Sequence, residues 1–100
     1  MKVTIKATNL SLTPEIQKAI EEKIATLDKF ISCTDALVEA FVEIAVDNRH
    51  HKKGKVYYAE ANIKIQGEII RSEAKEDNIF KAINAVKDEL QRLLKKYKAK

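Results

Sequence analysis

The residue types that could do chemistry are few, and they are not grouped as chemistry requires. Glu39 and Glu43 could serve as paired acid–base carboxylates, but the local alternation puts them on the outward side of a strand, with no cleft in prospect. His50 and His51 adjoin in a polar loop, where neighbouring side chains diverge, and no cysteine stands nearby to complete a metal set. Cys33 is the only cysteine, so no internal disulfide can form. Flanked by Ser32 and Thr34 at a helix exit, with no local histidine as its base, it reads as a small semi-buried residue and not as a nucleophile. There is no GxGxxG, no GxxxxGK and no GxSxG. The chain therefore reads as a non-enzyme, with no catalytic residue, no metal site and no cofactor.

What remains is basic. The formal net charge is +4. The last twenty residues carry seven lysines and arginines against Asp88 and Glu89, while the first eighty are almost neutral. A field concentrated in this way suits a polyanion, either nucleic acid or an anionic surface. A lysine-rich helix end that merely favours its own C-terminal dipole is the plainer reading. At 100° per residue Lys81, Ala85, Asp88, Arg92, Lys95 and Lys96 lie along one side of a final helix. On an earlier helix Lys23 borders the apolar stripe, and Lys18 and Lys29 point outward. Set side by side, the two helices would merge these residues into one positive surface. Flexible ammonium groups on rigid helices fit a phosphate backbone, where counterion release drives binding without base reading. Tyr97 fits a core stripe and Tyr57 reads as buried, so a base-stacking platform is disfavoured and structured RNA is preferred.

The elements that must position these residues follow from periodicity. Residues 2–8 alternate, with Val3, Ile5 and Ala7 on one face. Thr13 can cap a helix whose first position is Pro14, and Ile16, Ile20, Ile24, Leu27 and Ile31 form its stripe over roughly residues 14–30. A strand over 36–46 puts Val38, Ala40, Val42, Ile44 and Val46 inward. Residues 48–54 form a polar loop ending in glycine. Residues 57–65 alternate again, and Gln66-Gly67 turns the chain into a strand over 68–75. Asp77 or Asn78 caps the last helix, whose stripe is Ile79, Ile83, Val86, Leu90, Leu93, Leu94 and Tyr97. The fold class is α+β in the order β-α-β-β-β-α. It predicts a four-stranded mixed sheet with two helices on one face, the first two strands parallel, similar in architecture to a double-stranded-RNA-binding domain.

Composition agrees with that frame. One hundred residues with 45% hydrophobic side chains support a single domain, residues 1–100, with one core. Two glycines and one proline leave no low-complexity linker. No apolar run approaches the ~18–20 residues that span a bilayer, and the start carries no secretory stretch. A cytoplasmic chain without a membrane partner is expected.

The chain also resembles a known family. Leu12-Thr13-Pro14-Glu15-Ile16, followed by Lys23-Ile24-Ala25-Thr26-Leu27-Asp28-Lys29-Phe30, is similar to the first-helix region of bacterial ribosome hibernation-promoting factors, also called ribosome-associated translation inhibitors. Asn78-Ile79-Phe80-Lys81-Ala82-Ile83-Asn84 resembles the family's D-M-Y-x-A-I-D. Leu90-Gln91-Arg92-Leu93-Leu94-Lys95-Lys96-Tyr97-Lys98 resembles its L-x-R-Q-L-x-K-Y-K ending. The likeness covers residues 1–98 and is closest to the short form. It implies docking on the small ribosomal subunit, in the channel used by mRNA and tRNA, with basic helix residues on ribosomal RNA. That would inhibit translation in stress or stationary phase, and ribosome dimerisation would need a second factor.

The implied RNA-binding residues are Lys23, Lys29, Arg92 and Lys96 at basic family positions, with Lys95 added at a variable one; Lys81 joins them from the helix geometry. Gln17 and Thr26 stand where some members carry a base, which thins the first-helix half of the patch. Asn78 and Phe80 replace the usual Asp and Tyr, both mild changes. The alternative is a general double-stranded-RNA-binding module, whose basic cluster opens its last helix, whereas Lys95-Lys96-Tyr97-Lys98-Ala99-Lys100 closes this one. A protein–protein adaptor with solvated charged faces is the third reading. Replacing Cys33 with Ser and both histidines with Ala is expected to leave RNA affinity within a few-fold. Stoichiometric, chelator-sensitive zinc in the purified protein would contradict that expectation.

Overall fold

The computed structural model describes residues 1–31, 38–47, 54–65 and 67–98, so Cys33, Leu37, His50 and His51 lie outside the described residues. Strand β1 (Lys2–Thr8) turns Val3, Ile5 and Ala7 to the core and ends at Asn9. Asn9 has a φ of 62°, a left-handed conformation that asparagine adopts more readily than most residues. Leu10 and Leu12 pack against the core on the way to helix α1 (Pro14–Ala25). That helix starts as its sequence requires. The Thr13 hydroxyl accepts from the Ile16 amide at 3.2 Å, and Pro14 occupies the first turn, where a missing N–H costs nothing.

The periodicity predicts one helix to residue 30, but α-geometry stops at Ala25 and a five-residue 3-10 turn (Thr26–Phe30) follows. The physical reason is Thr26. Its hydroxyl donates to the Lys23 carbonyl at 2.6 Å, drawing a backbone acceptor toward a side chain at the helix end. The Ile31 amide then bonds the Asp28 carbonyl three residues back, at 3.1 Å, and closes the tighter turn. Leu27 is fully buried and Phe30 half-buried, so the turn still serves the core.

Strands β2 (Glu39–Asp47), β3 (Val56–Ile65) and β4 (Glu68–Glu76) complete one sheet in the spatial order β1-β2-β3-β4. The β1–β2 pair is parallel and the other two are antiparallel. Register stacks the inward residues in rows: Val3, Ala40, Ile63 and Ile70 in one, Ile5, Val42, Ala61 and Ser72 in the next. Ala40, Ala59 and Ala61 are essentially inaccessible, and their small volume makes room for the branched side chains above them. Gly67, at a φ of 81°, supplies the conformation that the β3–β4 turn needs.

Of the two capping candidates it is Asn78 that opens helix α2 (Ile79–Lys98). Its Oδ1 accepts from the amides of Phe80 at 2.7 Å and Lys81 at 3.3 Å. Ile79, Ala82, Ile83, Val86, Leu90 and Leu94 are buried, with Leu93 and Tyr97 packed at the margin. α2 lies over β3 and β4, while α1 and the 3-10 turn run beside it. The expected α+β order and mixed four-stranded sheet are therefore the architecture of this chain.

The opposite, helix-free face is finished by a polar cluster. The Tyr58 hydroxyl donates to Glu60 at 2.5 Å and lies 2.9 Å from Glu73, while Arg71 pairs with the two carboxylates at 2.9 and 3.2 Å. The Tyr58 hydrogen bond, then Arg71 and Asn62, hold the Glu60 carboxyl below its ordinary range against the opposing effect of burial. Glu43 accepts from the Thr8 hydroxyl at 3.2 Å on the same face. Truncating Ile20 to Ala is expected to cost about 2–4 kcal/mol in urea denaturation, and Val86 to Ala a little less, because both leave cavities between helix and sheet. Losses below about 0.5 kcal/mol for both would mean that the helix faces are wrongly assigned.

Candidate nucleic-acid interface

The six candidate cations divide by what holds them. Lys29, in the 3-10 turn, places its ammonium 5.2 Å from the centroid of the Phe30 ring. Lys95, from α2, places its own 5.5 Å from the same centroid. Both distances fall within the ~6 Å range of cation–π attraction. The basic sets of the two helical segments thus meet at one aromatic ring. Among the described residues neither ammonium has a carboxylate partner. Lys23 stands half-exposed in the last turn of α1, its carbonyl already engaged by Thr26.

The other three are disposed differently. Arg92 is exposed but bound to Glu89 one turn back, through Nε to Oε2 at 3.1 Å and Nη2 to Oε1 at 2.5 Å. These hydrogen bonds hold the Glu89 carboxyl below the usual carboxylate range, helped by the charges of Arg92 and Lys96. They likewise push the Arg92 guanidinium up. Lys81 pairs with Asp77 at 3.2 Å and lies fourteen residues before Lys95, roughly 21 Å along the axis. Lys96 takes the opposite flank from Lys95, since adjacent helical residues are 100° apart. It lines an open groove of about 550 Å³ with Leu93 and Tyr97 of α2 and Ile69 and Arg71 of β4. The expected single stripe is therefore a seam cluster at Lys29 and Lys95, a paired Arg92 on top, and outlying charges.

Two residues escape a reading of the sequence. Phe30 is legible there only as a flank of the apolar stripe; its place under the Lys29 and Lys95 ammonium groups depends on the 3-10 turn. Lys87, one helical turn from Gln91 and so on the Lys95 flank, has its side chain only 18% exposed and reaches Asp88 at 3.1 Å and Gln91 at 3.3 Å. Among the described residues no group of three His, Cys, Asp or Glu side chains is placed to hold a metal ion. No described helix is long and apolar enough to cross a membrane.

Residues 3–100 match the family described as Sigma 54 modulation protein / S30EA ribosomal protein. The chain belongs to that family. Relatives include the ribosome hibernation promoting factor of Acinetobacter guillouiae, 28% identical over 99 residues that cover 98% of this chain and 88% of the relative. The ribosome hibernation promotion factor of Picosynechococcus sp. is 29% identical over 100 residues, all of this chain and 50% of the relative. This chain likewise spans about half the length of the Bacillus subtilis relative. The solved N-terminal domain of Thermus thermophilus Protein Y has the same fold, at a TM-score of 0.80 and 22% identity over 97% of this chain and 99% of that one. A ribosomal subunit interface protein from Coxiella burnetii matches over the whole of both chains at 0.79 and 23%.

Within this S30EA-type fold the Glu89–Arg92 pair makes an internal competitor for any bound phosphate. Replacing Glu89 with Gln should free the guanidinium and raise affinity for RNA about two- to five-fold, read by fluorescence anisotropy at low salt. The paired carboxyl is held low, so the wild type should keep its disadvantage at neutral pH. It should approach the variant only as pH falls below the ordinary carboxylate range, through the depressed value of Glu89. Equal affinities at pH 7 would mean that Arg92 makes no phosphate contact.

Proposed function

We propose that this chain is a ribosome hibernation factor that binds the small ribosomal subunit through the cationic surface of α1, the 3-10 turn and α2, and that residues 1–100 act as one ribosome-binding domain. Curated relatives named for ribosome hibernation support a ribosome-associated role of this kind. The observation that carries the proposal is the convergence of Lys29 and Lys95, from separate elements, on one exposed seam where no described carboxylate neutralises either. Such a seam has no use in the fold, because bringing two cations together opposes folding. It is repaid when an anion arrives.

Lys23, Lys29, Lys81, Arg92, Lys95 and Lys96 would contact the ribosomal RNA backbone by charge and shape, without reading bases. Occupancy of the mRNA and tRNA channel then inhibits translation by exclusion, which requires no chemical step. A general double-stranded-RNA-binding module is the second reading, favoured by the same sheet-and-two-helix build. Binding to intact small subunits in preference to a generic RNA duplex separates the two.

Neutralising Arg92, Lys95 and Lys96 together to Gln should sharply weaken co-sedimentation with small subunits while leaving the melting temperature nearly unchanged, since all three are exposed. The salt dependence of residual binding should flatten by roughly two to three units, about 0.7–0.9 for each phosphate no longer neutralised. Lys2, Lys6 and Lys64, exposed on the sheet, are the control for net charge. Equal losses from the two triple variants would reduce the interface to a diffuse positive field.

A further inference from the structure

Phe30 is half-buried and packed against the core, so its ring is fixed while the two side chains reaching over it are long and flexible. The ammonium groups of Lys29 and Lys95 each lie within 5.5 Å of the ring centroid, which puts the two charges less than about 11 Å apart, the sum of their distances to it. Even that upper bound is close to the screening length of ~10 Å at 0.1 M salt, so at low salt an approaching anion meets them as a single field. Yet they come from different elements, the 3-10 turn and α2, and no described carboxylate balances either.

We infer that Phe30 is a positioning residue, holding Lys29 and Lys95 as a two-lysine clamp for a backbone phosphate of folded RNA. The inference rests on the ribosome-binding reading above and names the part of that surface that is organised in advance. The ring's negative face offsets part of the repulsion between the ammonium groups and restricts where each can go. A phosphate oxygen then accepts from donors already in place, and less side-chain freedom is lost on binding. The ring is not itself a stacking platform, because its body packs against the core and two ammonium groups lie over it. Thr26 contributes indirectly: the hydroxyl bond that ends α1 begins the turn that carries Lys29 and Phe30 to α2.

The test replaces Phe30 with mono-, di- and trifluorinated phenylalanine, which weaken the ring quadrupole stepwise at nearly constant shape, and with Leu and Trp. Affinity for purified small ribosomal subunits is measured at fixed low salt, with melting temperature as the check on folding. The result expected is a graded loss along the fluorinated series, reaching about two- to five-fold per lysine released. Phe30→Leu should match the end of the series, and Phe30→Trp should bind at least as well as the wild type. In a Lys29→Met, Lys95→Met background all position-30 variants should bind alike. In the free protein, the ε-methylene protons of Lys29 and Lys95 should be shifted upfield by the ring current, and Phe30→Leu should remove the shift. A flat series with a wild type that binds, the same graded loss in the double-Met background, or the absence of the upfield shift would each overturn the proposal alone. A wild type that does not bind subunits overturns the ribosomal reading and the proposal with it.

Discussion

The rest of the molecule depends on one buried seam, where Ile20, Leu27, Ile44, Ile63, Leu90 and Leu94 are fully enclosed between two helical segments and a sheet. Each strand has one apolar face and each helix one apolar stripe, so burial of all six surfaces at once requires both helices on the same side. At about 1.5–3 kcal/mol for each large side chain removed from water, that seam outweighs any surface electrostatic term. It can therefore dictate where charges go. Side-by-side helices leave their outer faces adjacent, and the basic sets of the two helical segments meet at Lys29 and Lys95.

The cost of that surface explains its internal arrangement. The candidate cations show three arrangements: local ion pairing, as for Arg92 with Glu89 within α2 and Lys81 with Asp77 just before it; divergence to opposite flanks, as for Lys95 and Lys96; and support by an aromatic ring, as for Lys29 and Lys95. Exposed ion pairs contribute little to stability, typically under about 1 kcal/mol. On the proposed RNA-binding reading their consequence is functional, since a paired guanidinium would have to leave its carboxylate before it could serve a phosphate. Among the described residues Lys29 and Lys95 have no such partner to leave.

Much of this is legible in the sequence, and the exceptions have physical causes. Strict alternation through β1 to β4 and the isoleucine stripe of α1 determine faces, order and core, because a one-residue slip would turn every apolar side chain to water. The 3-10 turn is not legible, since Leu27 and Ile31 fit an α-helical stripe equally well; the decision lies with the Thr26 hydroxyl. The cation positions are legible as types and spacings, and five of the six do lie on exposed surface, with Lys23 half-buried. Their grouping is not. Spacing alone puts Lys95 and Lys96 on one side together, yet a rotation of 100° sends one toward Phe30 and the other toward β4. Phe30 itself reads as apolar flank, because its second role exists only once the turn brings α2 against it.

If the outer helix surface faces ribosomal RNA, the two sides of the molecule must differ in what they touch. A photocrosslinking side chain at Asp88, exposed on the outer surface of α2, samples one side; the same group at Lys64, exposed on the helix-free face of β3, samples the other. With the protein bound to intact small subunits, crosslinks to ribosomal RNA are predicted from position 88 and not from position 64. Crosslinks to RNA from position 64 with none from position 88 would contradict the helix-face interface, whatever the affinity.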